Sequence, residues 1–233
     1  MDTHKFALFK NILDLDGSAT IHSVVDGAQI EHLKAEIESL RKLASNAGLR
    51  NLLSDSDEVR NFASHGVMHQ IASQLLAGSP LPVRAIFFDK TPESNWYVTW
   101  HQDLTIPVRE KVELDGFGSW SVKNGVPHCQ PPTAVLEAMV ALRLHLDDCG
   151  ESNGPIKFIT GSHRFGILNQ DDIARLRDQN NPEIGLAKTG DVIAMKPLVL
   201  HSSSVAESAE HRRVLHLEYA LYDLPSPLEW GQA

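Results

Sequence analysis

Cysteine is scarce. Cys129 and Cys149 are the only two in 233 residues, too few for a disulfide framework, so a reducing cytoplasm is the expected setting. No uninterrupted apolar run approaches the roughly 18 residues that cross a bilayer, and no membrane partner is expected. The opening "MDTHKFALFKNILDLDG" lacks the apolar core and small-residue cleavage site of a secretory signal, so none is expected. Positive charge is also short: 21 Lys and Arg face 30 Asp and Glu, a formal net charge of −9. That balance argues against a general binder of nucleic acid or anionic membrane. Repeats, low-complexity linkers and composition breaks are missing too, and a single domain over residues 1–233 is expected.

What is present changes character near residue 80. From Asp26, the residues Ile30, Leu33, Ile37, Leu40 and Ala44 recur at steps of three and four, which makes one helical face. Asp26 with Gln29 reads as a capping box and Gly48 as a stop. A second helical region over about 57–76 is expected to break near His65-Gly66, and "ATIHSVV" before both reads as a strand. The helical part therefore covers about 1–80. From Pro82 onward short runs rich in β-branched and aromatic residues take over, namely "VRAIFFD", "NWYVTWHQDLTI", "MVALRLHLDD", "PIKFIT", "DVIAMKPLVLHSSS" and "RVLHLEYALYD". One helical insert, "NQDDIARLRDQN", interrupts them. Many short strands without βα alternation predict an antiparallel sandwich or barrel over about 81–222, with helices packed outside. Residues 107–132 have weak periodicity and read as a long loop, a lid or binding loop, carrying Trp120 and His128.

Within this pattern, His101 and Asp103 sit two positions apart in an apolar, aromatic run. Strand side chains alternate, so both point to one face, with Gln102 opposite or at the strand end. Buried ionisable groups are costly without a partner, and a nitrogen and an oxygen on one face can serve one metal. His201, where an apolar strand meets "HSSS", is the best third ligand. Two histidines and one carboxylate make the facial set that holds non-haem Fe(II) with positions left open. Arg212, eleven residues beyond His201, offers a planar fork suited to a carboxylate, and a turn of that length would let the two strands lie side by side. Ser203 adds a hydroxyl.

"WHQD", "GPIKFITGSHRFG" and "GDVIAMKPLVLHSSS", followed by Arg212, resemble the phytanoyl-CoA dioxygenase family over roughly residues 80–222. The resemblance implies a double-stranded β-helix (a jelly-roll, cupin-like barrel), mainly β with flanking helices. It implies a dioxygenase using Fe(II), 2-oxoglutarate and O2, with His101, Asp103 and His201 as catalytic metal ligands. It further implies that Arg212 grips the distal carboxylate of 2-oxoglutarate, with Ser203 and Gln102 at cosubstrate positions. Two residues depart from the family pattern: Thr160 replaces a usual proline, and Arg143 stands where some relatives have tryptophan. Related halogenating enzymes have a small residue at the carboxylate position, so Asp103 favours hydroxylation, which releases succinate and carbon dioxide.

Arg143 and His145 share one face of "VALRLHL", opposite Leu142, Leu144 and Leu146. His216 and Glu218 share the face of Arg212. Trp120, His128, Arg143, His145 and His216 are thus the candidate substrate residues, and they favour a small polar or carboxylate-bearing metabolite over an acyl-CoA. Lys90 reads as a surface lysine, Asp147 and Asp148 as turn residues, and no basic cluster for CoA phosphates stands out. Two other readings compete: a non-catalytic metal-bound sensor on the same fold, and a zinc hydrolase. The latter lacks a dense motif such as H-E-x-x-H and leaves Arg212 without a task.

Overall fold

The computed structural model describes residues 3–42, 48–91, 94–207 and 211–231. The chain opens with α1 (Thr3–Asp16) and β1 (Ser18–Ile21), then α2 (Gly27–Arg41), β2 (Gly48–Leu49), α3 (Leu52–Asp55), α4 (Asp57–Ser64) and α5 (Gly66–Leu76). Asp26 caps α2 by accepting from the Gln29 amide at 2.9 Å. The apolar face read from the sequence buries Ile30, Leu33 and Ile37, while Ala44 lies outside the described residues. Gly48 does not stop that helix; it begins β2, which pairs with Phe88. The break expected at His65-Gly66 separates α4 from α5, and Gly66 takes the positive φ of 75° that the corner needs. The helix α1 has little amphipathic pattern, and no helix had been read there.

The β part follows, with β3 (Leu81–Lys90), β4 (Val98–His101), β5 (Ile106–Pro107), β6 (Gly118–Lys123), β7 (Val126–Gln130), α6 (Thr133–Glu137) and β8 (Met139–His145). It continues through β9 (Ile156–Ile159), α7 (Gln170–Gln179), β10 (Glu183–Gly185), β11 (Val192–Met195), β12 (Leu200–Ser203) and β13 (Arg212–Ala220). A six-stranded sheet runs β1-β11-β8-β13-β3-β2, and a four-stranded sheet runs β10-β9-β12-β4. All of their pairings are antiparallel. One cavity is lined by β3, β8 and β13 of the first sheet and by β4, β9 and β12 of the second, so it lies between them. This is the double-stranded β-helix. Leu142, Leu144 and Leu146 turn to the opposite face, where they join Leu33, Ile37, Val59 and Ile71 of the helices in the main core. Strand parity on β8 therefore separates a dry face from a polar one.

Two expectations need correction. The segment 107–132 is not an irregular loop: β5, β7 and β6 make a third, small sheet. Its hairpin turns on Asn124-Gly125, whose φ values of 47° and 79° are those of a tight turn between twisted strands. "DVIAMKPLVLHSSS" is not one strand but two, β11 and β12, placed in different sheets. Consequently β12 does not lie beside β13; His201 and Arg212 reach the same cavity from facing sheets. No described helix is long and apolar enough to cross a membrane.

Candidate metal centre

In β4 and β12, His101 and His201 are direct cross-strand partners, which puts both rings on one face with centroids 4.2 Å apart. Asp103 follows β4, and its backbone amide donates to the Pro197 carbonyl at 2.9 Å. Its two carboxylate oxygens lie 3.7 Å from His101 Nε2 and 3.7 Å from His201 Nε2. One ligand atom from each of the three falls within 4.8 Å of the others. Each imidazole is held from behind: Nδ1 of His101 meets the Thr99 carbonyl at 2.8 Å, and Nδ1 of His201 meets the Val199 carbonyl at 2.9 Å. A carbonyl can only accept, so the proton sits on Nδ1 and the Nε2 lone pair faces the cavity. Burial, against the pull of Asp103, lowers the pKa of His201 to about 4, which keeps it a neutral ligand. Burial alone would raise the pKa of Asp103, but the surrounding His201, His216 and His101 side chains and the Arg84 guanidinium outweigh it and hold the carboxyl below the usual carboxylate range. Neutral imidazole and ionised carboxylate are the forms a divalent cation binds.

Gln102 lies between the two ligands with its amide fully engaged. Its Nε2 donates to the Gly166 and Leu198 carbonyls at 2.8 and 2.7 Å, and its Oε1 accepts from the Leu168 amide at 2.8 Å. That side chain ties the ligand strand to two neighbouring segments and has no polar atom to spare. Gln102→Leu should therefore cost about 2–5 kcal/mol of stability, because three backbone groups lose their partner at a mostly buried position. Urea denaturation checks this, and a loss below roughly 1 kcal/mol would mean that water replaces the amide easily.

The cavity has a volume of about 430 Å³. Its lining includes Arg143, Ser203, Arg212, His216 and Glu218, but not Trp120, His128 or His145. Trp120 packs on the outer cluster of the small sheet, with Lys111 over its ring. His128 is buried in β7, with Nδ1 held by the Val126 carbonyl at 2.9 Å and a pKa lowered by burial to about 4. His145 is buried too, and burial followed by Arg143 and Arg212 lowers its pKa to about 3.

Along β3 and β13 the inward residues pair in register: Lys90 with Arg212, Phe88 with Val214, Ile86 with His216, Arg84 with Glu218. Lys90 is not a surface residue, being 0% exposed. Its Nζ donates to Ser203 Oγ at 2.9 Å and to the Ser204 carbonyl, and burial followed by Arg212 lowers its pKa to about 8. Arg212 donates to the Gly154 carbonyl at 2.5 Å. Gly154 sits at φ 61°, and a Cβ there would run into the Ser204 carbonyl oxygen, so only glycine brings that backbone so close. Arg143 Nη1 donates to His216 Nδ1 at 3.2 Å, His216 Nε2 then donates to Glu218 at 3.2 Å, and Arg84 donates to the same carboxylate at 3.1 Å. Among the described residues no carboxylate forms an ion pair with Lys90, Arg143 or Arg212. Buried Nε atoms of Arg143 and Arg212 have no partner at all. Arg84, Arg50 and Lys123 are not singled out by the sequence; the β3–β13 register, which pairs Lys90 with Arg212 and Arg84 with Glu218, places Lys90 and Arg84 on the inward face.

The family model for phytanoyl-CoA dioxygenase (PhyH) matches residues 13–214. The chain belongs to the phytanoyl-CoA dioxygenase family. Solved structures share this family member's fold. AviO1 from Streptomyces viridochromogenes Tue57 is 21% identical, with a TM-score of 0.71 over 97% of this chain and 99% of that one. SnoK, a non-haem alpha-ketoglutarate-dependent carbocyclase from nogalamycin biosynthesis, is 16% identical, with a TM-score of 0.72 over 100% and 87%. EctD from S. alaskensis with bound Fe is 17% identical, with a TM-score of 0.73 over 97% and 80%. No curated protein matches the chain.

Proposed function

We propose that the chain is an Fe(II)- and 2-oxoglutarate-dependent oxygenase that hydroxylates a small polar metabolite. The observation that carries this is a single arrangement. Three metal-ligating atoms converge on a cavity that Arg212 lines without a carboxylate partner among the described residues, with Lys90 buried beside it on the neighbouring strand. Like charges directly opposite on neighbouring strands repel, and a bound carboxylate would relieve that repulsion. SnoK uses alpha-ketoglutarate, and EctD has been solved with Fe and with 2-oxoglutarate and 5-hydroxyectoine, which supports the same cofactors here.

His101, Asp103 and His201 would hold the metal through two Nε2 atoms and a carboxylate oxygen, leaving the other side of the ion for exchangeable ligands. When bound, Fe(II) with 2-oxoglutarate and O2 supplies the oxidising power to break a substrate C–H bond, with release of succinate and carbon dioxide. The chain's own task is orientation. The Thr99 and Val199 carbonyls fix both imidazoles. Arg212 and Ser203, which line the cavity, would hold the distal carboxylate of 2-oxoglutarate, and the buried Lys90, bonded to Ser203, would add its charge from behind. His216, locked between Arg143 and Glu218, presents a rigid wall where the substrate lies. Two free, buried cysteines suit a reducing compartment such as the cytoplasm.

Succinate formation, followed in the presence of Fe(II), 2-oxoglutarate and a panel of small metabolites, tests the proposal. Stimulated turnover with one oxygen gained by a metabolite is the expected result. Absence of any iron-dependent succinate would overturn the oxygenase reading, and a product that loses two hydrogens would replace hydroxylation with ring closure or desaturation.

A further inference from the structure

The Arg212 end and the metal ligands account for only part of the cavity; its opposite end is also basic. Arg84 and Lys90 are six residues apart on one strand face, so about 20 Å separates them along β3. Arg84 is neutralised by Glu218 at 3.1 Å. Arg50 and Lys123 join it from distant parts of the chain, and both line the cavity half-buried. Lys123 donates to Thr105 Oγ1 at 2.7 Å, two residues beyond Asp103. Among the described residues, no carboxylate pairs with Arg50 or Lys123.

Their backbones are locked together. Asn51, next to Arg50, donates from its side-chain amide to the carbonyl of Asn124, next to Lys123, at 3.1 Å. The two cations are thus held as neighbours by a contact that uses neither. Burial and Arg84 lower the proton affinity of both, and Arg50 adds to the effect on Lys123. Glu218 attracts both but forms an ion pair with neither, being already bonded to Arg84 and His216, so the two half-buried charges repel at a cost that a further anion would reduce. A second recess of about 310 Å³ shares Arg50, Ile86, Phe88 and Trp96 with the main cavity, so there is room past Arg50 for the body of a small molecule.

We propose that Arg50 and Lys123 form a substrate-anion subsite, so that the substrate is an organic oxyanion, carrying a carboxylate or a phosphate ester, bound opposite the 2-oxoglutarate end. The identity of the anion as the oxygenation substrate rests on the oxygenase reading; the subsite itself rests only on these side chains. In a chain of formal net charge −9, the attraction is local. It selects anions small enough to enter the cavity.

Isothermal titration calorimetry tests it, with inorganic phosphate and acetate as probes and excess 2-oxoglutarate present to fill the Arg212 end. Saturable binding of at least one probe is expected, the tighter one indicating a phosphate ester or a carboxylate. Arg50→Gln and Lys123→Gln should each weaken that binding by about tenfold or more, the loss of one charge-assisted contact. Arg212→Gln should lose 2-oxoglutarate and keep the probe. Circular dichroism confirms that each variant folds. No saturable binding of either probe, or unchanged binding in both Arg50→Gln and Lys123→Gln, overturns the subsite. Failure of wild-type protein to bind 2-oxoglutarate counts instead against the oxygenase reading, and the glutamine variants still decide the subsite.

Discussion

Asp103→Ala should reduce Fe(II) affinity by more than about a hundredfold and bring succinate formation to background. Loss of a partner behind a ligand usually costs about 10–100-fold in affinity, and loss of the ligand itself should exceed that. Asp103 supplies the only anion among three ligands, so its removal leaves two neutral imidazoles facing a divalent ion. The fold should survive, because the Asp103 backbone amide keeps its bond to the Pro197 carbonyl at 2.9 Å without the side chain. His201→Ala should match it, since it removes another of the three convergent ligand atoms. His69→Ala is the control, its ring on α5 meeting only the Pro80 carbonyl at 3.1 Å. Anaerobic Fe(II) titration separates the cases. Iron affinity within a few-fold of wild type in Asp103→Ala would mean that the carboxylate is not a ligand.

The convergence of His101, Asp103 and His201 was legible because strand parity is a local rule. His101 and Asp103 share a face by their spacing, and the apolar run before His201 marks a strand end without any knowledge of its neighbours. The same rule separated Leu142, Leu144 and Leu146 from Arg143. Sheet membership is not local. Eleven residues between His201 and Arg212 suggested neighbours in one sheet, whereas the chain crosses from one sheet to the facing one. The turn at Asn124-Gly125 was readable, since that dipeptide tolerates two positive φ values, and it went unread inside a segment of weak alternation. Lys90 was misjudged from residue type alone. Its strand is buried on both faces, with Ala85 and Phe87 in the main core and Ile86 and Phe88 on the cavity, so even a lysine has no route to solvent. The Arg50, Arg84 and Lys123 cluster assembles from three separate segments, and only the folded chain shows it.

Arg212→Ala should raise the KM for 2-oxoglutarate by roughly 30- to 1000-fold, the equivalent of about 2–4 kcal/mol for a lost charge-assisted bond and a carboxylate left short of a partner. Iron affinity should hardly move. Arg213→Ala should do the reverse of a binding defect. Arg213 points to the outer face and clasps Asp147 with two bonds of 2.7 Å, so its loss should cost some stability and leave the KM within about twofold. Lys90 adds a pH signature. Burial and the adjacent Arg212 lower its pKa to about 8; below that pH it is an ammonium and attracts the cosubstrate, and above it the charge is lost. Affinity for 2-oxoglutarate should therefore fall as pH rises through about 8 in the wild type. In Arg212→Ala the repulsion from the guanidinium is gone, Lys90 keeps its proton to higher pH, and the fall should move upward. Equal KM effects at positions 212 and 213 would mean that the wrong arginine has been assigned. A pH profile that stays in place in Arg212→Ala would show that Lys90 and Arg212 do not act on the same carboxylate.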